Sequence, residues 1–477
     1  MIKKSIAVLF GCITSHVFAQ GVILNQADLR YDLMWLNQQG VIQLSTSTWP
    51  LSGDAVINAL SEAKIANTAQ QKVVDSVLQQ LKRENSAYKA ILKAESNEKY
   101  LPQAFADRQT AQQQVSVEWN GGAENWDAKI RFNAERKLNI ENSHDYNVEG
   151  SYIAAKLANQ WLIAGQIPTW WGDSYDGSLI RGDASRPVVG LTMQRAEQNA
   201  FATKWLSWLG EWQYQAFAGQ LKDYQAIPDT KLLGLRVTMQ PLPYLELGGS
   251  RVLQWGGEGR SESLSTLWDA IKGNDNFDYA ELDKSNQIAG LDFKLNLNSL
   301  LDVPAAVYGQ YVGEDEAGML PSKKMYLAGT SFANDYKGMP YQIYAEWADT
   351  RTNGHVEGIS YSHYVYTDGY YQQGHPLAHA MGGDGQMYSL GGNINIDSMN
   401  RFSARVFSAK VNQSNLTINH MFPQEDKIKA IDATWTHYIQ PDMPLKVNGW
   451  FSDSTQHKKD KGIALSLELS EFFKRLK

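Results

Sequence analysis

The sequence is poor in cysteine and in long apolar runs. Its 477 residues include a single cysteine, Cys12, which lies in a stretch typical of a cleaved export signal. The mature chain is therefore expected to contain no disulfide framework, no thiolate nucleophile and no cysteine-based metal site. No later segment has the roughly 20 consecutive apolar residues that a membrane-spanning helix needs. Membrane helices are thus excluded, whereas a membrane β-barrel is not, because its strands need only alternate over about ten residues.

An excess of positive charge is also lacking. The chain carries 44 Lys and Arg against 51 Asp and Glu, a formal net charge of -7. This balance gives no indication of a basic surface for nucleic acid, so no nucleic-acid partner is expected. An anionic ligand would need local clusters of Arg and Lys.

The first residues have the pattern of a secretory signal peptide. Lys3 and Lys4 form the positive n-region, residues 6–13 the apolar h-region, and Val17-Phe18-Ala19 the small-residue cleavage site. This pattern predicts a signal peptide over residues 1–19. Lipoprotein processing at Cys12 is the alternative, although Phe10 is bulky for such a signal.

Residues 20–100 are predicted to form a small N-terminal helical bundle. Asn25 and Ser52 are candidate N-caps for the first two helices. In the third, apolar residues recur at helical 3–4 spacing from Val73 to Ile91. The bundle has no His or paired carboxylate on a shared face, which favours a structural role. The polar, mixed residues 101–113 are interpreted as a linker.

From residue 114 to 477 the sequence consists of short alternating segments separated by turn residues. Residues 463–469 alternate strictly, while Arg401, Arg405 and Lys410 interrupt a looser alternation in residues 401–411. The 23 Tyr and 15 Trp fit half-buried strands better than helices. Some fifteen or more such segments exceed what one soluble sandwich uses.

A closed barrel accommodates this number of strands and leaves no free edges. With the export signal, it predicts a mostly β fold: a large antiparallel transmembrane β-barrel over residues 114–477 in the outer membrane. A soluble secreted propeller or sandwich lectin is the alternative, although no blade-length repeat supports a propeller. The final strand is expected to close near Leu469 or Phe473, before a basic tail at residues 474–477.

Candidate catalytic and metal-binding residues are few. Glu314, Asp315 and Glu316 could supply the two carboxylates of a glycosidase, but adjacent side chains of a strand point to opposite faces. His375 and His379 have the i, i+4 spacing of helical metal sites, yet the intervening Glu is missing and the flanking sequence favours a loop. No enzymatic activity, cofactor or metal is therefore expected.

Three stretches combine aromatic and polar residues, at 161–197, 254–260 and 367–374. Sugar rings have apolar C–H faces that stack on Trp and Tyr, while Asp, Glu and Arg can bind their hydroxyl and carboxylate groups. These stretches are predicted to bind carbohydrate. Alternatively, their aromatic residues form girdles at the membrane interfaces, their Gly-rich loops are simple turns, or their tryptophans and charges pack inside the barrel and plug its lumen. The candidate carbohydrate-binding residues are Trp170, Trp171, Tyr175, Arg181, Asp183, Trp255, Glu258, Arg260, Tyr370 and Tyr371.

The same stretches resemble the Wzi family of capsule assembly proteins of Gram-negative outer membranes. The resemblance covers nearly the whole mature chain and departs from it at the basic C-terminal tail. The segments that carry it include residues 40–52, Trp170-Trp171-Gly172, 177–183, 193–198, 254–260, 313–316, 349–353, 368–373 and 381–386.

This resemblance implies a barrel of about eighteen strands, with the helical bundle on its periplasmic side. It further implies a non-catalytic lectin that attaches capsular polysaccharide to the cell surface. The expected partners are capsular polysaccharide and outer-membrane lipid, and contact with capsule export machinery stays open. The competing hypotheses are a diffusion porin and, third, a surface glycosidase.

Overall fold

A computed structural model describes residues 21–140, 143–272, 284–317 and 320–470, with the side chains of 315–317 and 320–322 excepted. The predicted signal peptide, residue Phe473 and the basic tail lie outside the described residues.

Five α-helices are present in the described chain, and none is long and apolar enough to cross a membrane. The second helix begins after its predicted N-cap, Ser52, whereas the first begins after Gln26, one residue beyond the predicted cap Asn25; neither N-cap side chain makes a capping hydrogen bond. The third begins after Asn67, whose side chain accepts a hydrogen bond from the backbone of Gln70. The helices are α1 (Ala27–Gln38), α2 (Gly53–Ser61), α3 (Thr68–Glu84), α4 (Leu264–Lys272) and α5 (Asn298–Leu301).

Eighteen antiparallel strands form one closed barrel, which confirms the predicted fold class. They are β1 (Tyr88–Glu95), β2 (Ala111–Ala123), β3 (Trp126–Leu138), β4 (Tyr152–Leu157), β5 (Gln160–Gln166), β6 (Val189–Arg195), β7 (Glu211–Gln220), β8 (Lys231–Leu242), β9 (Leu245–Trp255), β10 (Ser285–Asn296), β11 (Ala305–Ala317), β12 (Leu320–Tyr336), β13 (Met339–Asp349), β14 (Gln386–Asn395), β15 (Asn400–Val411), β16 (Asp426–Gln440), β17 (Met443–Ser454) and β18 (Lys458–Ser470).

Two-residue strands complete the assignment. One joins the barrel beside β3, and the others pair locally inside it or at its end. They are Val22–Ile23, Thr48–Trp49, Leu51–Ser52, Tyr146–Asn147, Trp170–Trp171, Tyr371–Gln372 and His375–Pro376.

The barrel begins earlier than the sequence predicts. Residues 88–97 were expected to continue the third helix, but that helix ends at Glu84, and β1 pairs with β18 on one side and β2 on the other. The helical spacing of Tyr88 and Ile91 is therefore misleading. A barrel must be closed so that no strand edge lacks hydrogen-bond partners, and β1 provides this closure. The expected barrel start at residue 114 is wrong.

Alternation along each strand separates a polar interior from an apolar exterior. In β15, Arg401 and Arg405 are buried and face the lumen, whereas Phe402 and Val406 are exposed on the outer surface. Similar exposed apolar residues recur on strands all around the barrel. An outer surface of this kind fits a lipid bilayer.

The two ends of the barrel differ. Helices α1 to α3 lie at the end where the short hairpin turns meet, and Gln79 of α3 donates to the backbone of Pro441 in one such turn. We call this the helical end. The opposite end, called the loop end, has the two longest connections between described barrel strands that lie wholly in the described chain, residues 167–188 and 350–385, together with 139–151, 221–230 and 412–425.

Candidate functional site

The connection between β5 and β6, residues 167–188, folds into the lumen of the barrel. We call it the plug. Trp170 and Trp171 are each 1% exposed. Trp170 pairs with Trp49 through the backbone, and its ring lies edge-on to Phe105 at a centroid distance of 5.2 Å. The indole N–H of Trp171 donates to Gln215 of the barrel wall at 2.7 Å.

Charged side chains hold the backbone of the plug. Arg30 of α1 donates to the carbonyl oxygens of Ser174 and Gly172 at 2.8 and 3.0 Å. From the barrel wall, Glu346 accepts from the backbone N–H groups of Tyr175 and Asp176 at 2.9 and 3.2 Å. These contacts replace the water that the polar backbone would otherwise bind.

Acidic side chains of the plug pair with basic side chains of the wall. Asp176 lies 3.0 Å from Arg405, and Asp173 lies 2.9 Å from Lys294, with all four side chains buried. Removing one partner of a buried pair leaves an uncompensated charge, at a cost of about 3–5 kcal/mol. The plug is therefore fixed in the lumen by charge as well as by packing.

Tyr175, Tyr370 and Tyr371 are inside the same packed region. The ring of Tyr175 stacks on Tyr344 at a centroid distance of 4.2 Å. The Tyr370 hydroxyl donates to the carbonyl of Ile180 at 3.0 Å, and the Tyr371 hydroxyl accepts from the backbone of Gly383 at 3.1 Å. Burial raises the pKa of all three hydroxyls, so each acts as a neutral hydrogen-bonding group.

Arg181 and Asp183 are also buried. The Arg181 Nε donates to Thr169 at 2.7 Å, and burial lowers the pKa of its guanidinium. Asp183 accepts from the side chain of Asn25 and from the backbone of Ala106, both at 3.0 Å. Burial raises the pKa of Asp183, while these two donors oppose that effect. Asn25 thus holds the plug instead of capping α1.

The remaining three candidates lie apart from the plug. Trp255 faces outward at the end of β9 and is buried under α4, where it packs with Leu253 and Ala270. Glu258 is exposed. Arg260 is partly exposed, with its guanidinium 5.5 Å from the centre of the Tyr366 ring.

Eight of the ten candidate residues are therefore buried by the protein itself. Their contacts give them a structural role in the plug or under α4. Direct contact of these residues with a ligand stays a prediction, and only Glu258 and Arg260 are accessible without rearrangement.

A cavity of about 830 Å³ opens at the loop end, beside the plug. Most of its lining comes from the β3 to β4 and β7 to β8 connections, which contain no predicted site residue. Other lining residues belong to predicted stretches: Gln166 and Arg186 to 161–197, and Gln372 and Gln373 to 367–374. We call it the mouth cavity. It is lined by Ser143, His144, Tyr146, Asn147, Val148, Glu149, Gln166, Arg186, Gln220, Leu221, Lys222, Asp223, Tyr224, Gln225, Pro228, Asp229, Gln372 and Gln373.

Arg186 of the plug lies in the wall of the mouth cavity. It is 3% exposed and donates to Glu149 and Glu135, both at 2.7 Å. Burial alone would lower the pKa of Arg186, but the two carboxylates outweigh it and the pKa is raised. Its Nε has no hydrogen-bond partner within the described part of the chain. A buried cation held by two carboxylates thus borders the cavity.

The rim of the mouth cavity is accessible and chemically mixed. Tyr146 is 65% exposed, and Lys222, Asp223 and Gln225 are also exposed. Beneath them Tyr224 is buried and its hydroxyl donates to backbone carbonyls of the 350–385 connection. Aromatic faces, donors and acceptors around one concave space are suited to a sugar ring and its hydroxyl groups.

The other residues considered for chemistry are sequestered. Glu314 is buried and accepts a hydrogen bond from the backbone of Tyr361, while the side chains of Asp315 and Glu316 lie outside the described residues. His375 and His379 are buried, and burial lowers the pKa of each to about 3. Within the described ranges no group of three His, Cys, Asp or Glu is placed to hold a metal ion.

Known proteins share both this sequence and this fold. The chain is 41% identical over 474 residues to an uncharacterized 55.8 kDa protein of the cps region of Klebsiella pneumoniae, a match that covers 98% of this chain and 94% of that one. Its structure is similar to Wzi of Escherichia coli, described as a carbohydrate-binding β-barrel of the outer membrane involved in group 1 capsule assembly. The TM-score is 0.90 at 41% identity, over 94% of this chain and 99% of that one.

The model of the family described as capsule assembly protein Wzi matches residues 82–464. This range spans all but the last few residues of the described barrel, and the predicted location in the outer membrane is confirmed. The chain belongs to the Wzi family of capsule assembly proteins.

Proposed function

We propose that this protein is a non-catalytic outer-membrane lectin that attaches capsular polysaccharide to the cell surface. The loop end would face the exterior, with helices α1 to α3 in the periplasm. The observation that carries the proposal is the mouth cavity, an accessible concave space with aromatic and polar walls. Membership of a capsule assembly family and the description of its Escherichia coli relative as carbohydrate-binding support the same function.

The size and chemistry of the mouth cavity suit a short stretch of polymer. Its volume of about 830 Å³ lies in the range of roughly 300–1,000 Å³ typical of ligand pockets. Lys222 can bind the carboxylate of an acidic sugar, while Asp223 and Gln225 can bind hydroxyl groups. One face of the Tyr146 ring stacks on Phe132 at a centroid distance of 5.9 Å, and its exposed side can contact a sugar. Contact at several neighbouring sugar units would multiply a weak single-site affinity.

The lumen argues against the porin hypothesis. A diffusion pore needs a continuous aqueous path lined by accessible charges. Here the plug, its wall contacts and α1 occupy the interior, and Asp173, Asp176 and Arg405 are paired with other side chains. The same charges that would set ion selectivity in a porin hold the plug in place.

A glycosidase is supported less than a lectin. Hydrolysis requires two carboxyl groups about 5–10 Å apart on either side of an accessible bond. Glu314 is buried and bonded to the backbone of Tyr361, so it is not presented to a polymer. Around the mouth cavity, Glu149 is already paired with Arg186 and Arg108.

Capsule retention by living cells tests the proposal. A strain that lacks the native gene would be complemented with the triple variant Tyr146→Ala, Lys222→Ala and Gln225→Ala, and capsular polymer would be quantified on cells and in the medium. Three truncations at about 1 kcal/mol or more each are expected to release most of the capsule without reducing its total amount. Retention at the native level would contradict the assignment of this cavity.

A matched control uses exposed residues of the loop end that do not line the mouth cavity. The triple variant His355→Ala, Tyr364→Ala and Leu416→Ala removes side chains of similar kinds from neighbouring loops. It is expected to retain capsule like the native protein. Equal release by both variants would indicate a general effect on the loops and would count against a specific site.

A further inference from the structure

Five lysines are clustered on the outer surface of the barrel, at the loop end of β15 to β18. All five are exposed. Their neighbours in sequence, such as Val411 and Asp426, are buried on the lumen side, so the alternation of each strand directs the lysines away from the lumen. We call this cluster the lysine rim, and it consists of Lys410, Lys427, Lys429, Lys459 and Lys461.

The strand register brings these lysines together. Lys410 is directly opposite Lys427 on the neighbouring strand. Asp453 is opposite both Lys429 and Lys459. Side chains directly opposite each other in an antiparallel pair are about 5 Å apart at their Cβ atoms, and like charges in such pairs are destabilising. A protein of net charge -7 thus concentrates positive charge at one place on its surface.

Most of this charge is not neutralised by the protein. Lys427 lies 3.4 Å from Glu425. Over the described residues, the other four rim lysines form no ion pair within 4.0 Å, although Asp453 stands between two of them in the register. The lysine rim therefore offers several ammonium groups to an anionic ligand, and the cross-strand repulsion would be relieved when that ligand binds.

The height of the lysine rim on the barrel indicates which ligand it meets. The next outward-facing side chains toward the helical end are the exposed, apolar Ile431 and Ile463, and on β15 Ser408 followed by the exposed, apolar Val406. Outward positions two residues apart along a strand are separated by about 7 Å. The ammonium groups thus lie immediately above the apolar band that faces lipid tails, at the level of the lipid head groups, and long lysine stems can extend along that boundary.

We infer that the lysine rim binds the phosphate groups of outer-leaflet glycolipid, that is, the phosphorylated lipid A portion of lipopolysaccharide. This inference rests on the barrel orientation given under the proposed function, but it concerns a different ligand. A capsular polymer bound above the loop end would meet the mouth cavity, whereas the lysine rim faces sideways into the membrane. Its several lysines, which lie on three of four adjacent strands, suit a ligand with more than one phosphate.

Native mass spectrometry of the full-length protein in detergent can test this inference. The probes are lipid A with two phosphates, lipid A with one phosphate, and phosphatidylcholine. The test variant is Lys427→Gln, Lys429→Gln and Lys459→Gln. The control variant, Lys64→Gln, Lys82→Gln and Lys337→Gln, removes three exposed lysines from the helical end. Both should retain the slow, heat-sensitive gel mobility of a folded barrel.

The native protein and the control variant are expected to bind diphosphorylated lipid A more tightly than either other probe. The test variant should lose on the order of 100-fold in affinity for it, which is about 2.8 kcal/mol at 1.4 kcal/mol for each factor of ten. Binding of diphosphorylated lipid A that is unchanged in the test variant would overturn the inference. So would a variant that keeps lipid A but loses capsular polysaccharide, because the lysine rim would then be a polymer surface.

Discussion

Replacing Trp171 with Phe separates a structural role of the plug from a role in sugar binding. Trp171 is buried, and its indole N–H donates to Gln215 at 2.7 Å. Phe keeps an aromatic ring but leaves the buried amide oxygen of Gln215 without this donor, at a cost of about 1–3 kcal/mol. The smaller ring also leaves a space that costs on the order of 1 kcal/mol. Together these changes predict a loss of about 2–4 kcal/mol in the free energy of unfolding.

Urea unfolding of the barrel in lipid vesicles measures this loss, and titration with capsular polysaccharide measures affinity on the same preparation. Trp171→Phe should lower the free energy of unfolding and leave the affinity within about twofold of native, a difference near 0.4 kcal/mol. Trp205→Phe is the control, because Trp205 is 78% exposed and should change neither quantity. A tenfold loss of affinity with unchanged unfolding would refute the structural role and restore Trp171 as a candidate sugar contact.

Three further results are expected. In planar bilayers the native barrel should show no steady open channel. Replacing residues 173–187 with a short Gly-Ser linker should open one. Steady conductance by the native protein would favour the porin hypothesis. Incubation of the purified protein with capsular polysaccharide should yield no new reducing ends, and their appearance would favour the glycosidase. Burial lowers the pKa of His375 and His379 to about 3, whereas the pKa in the unfolded chain is about 6.5. Between these two pH values the unfolded chain binds more protons than the folded protein. The free energy of unfolding must therefore fall as the pH falls. From pH 7 to pH 5 the free energy of unfolding should fall by about 2 kcal/mol for each histidine. In the double variant His375→Gln, His379→Gln the free energy of unfolding should depend less on pH. An equal pH dependence in the native protein and the variant would contradict the burial of neutral histidines.

The barrel could be predicted from the sequence because its signal is local. In residues 463–469 every second residue is apolar, and β18 places Ile463 and Leu465 on the lipid side as that pattern requires. β1 could not be predicted in the same way. Its residues also fit a helical spacing, and its strand conformation depends on pairing with β18, nearly 400 positions away in the sequence.

The plug illustrates why the sequence alone left the role of the candidate residues open. Trp170, Trp171, Arg181 and Asp183 form an aromatic and polar mixture that suits either a wet binding surface or the inside of a polar barrel. The two alternatives differ only in what surrounds the stretch, here Phe105, Gln215 and other residues distant in the chain. The mouth cavity escaped prediction because the two connections that line most of it, residues 139–151 and 221–230, carry no recognisable motif and meet only in the folded barrel.

The central claim is that the mouth cavity binds capsular polysaccharide. The most direct test is calorimetric titration of the purified native protein, and of its Tyr146→Ala, Lys222→Ala, Gln225→Ala variant, with purified capsular polysaccharide. The native protein should bind, the cavity variant should bind at least tenfold more weakly, a difference of about 1.4 kcal/mol, and the two should unfold at the same urea concentration. Absence of native binding to any capsular polymer, or equal affinity in the variant, would contradict the claim.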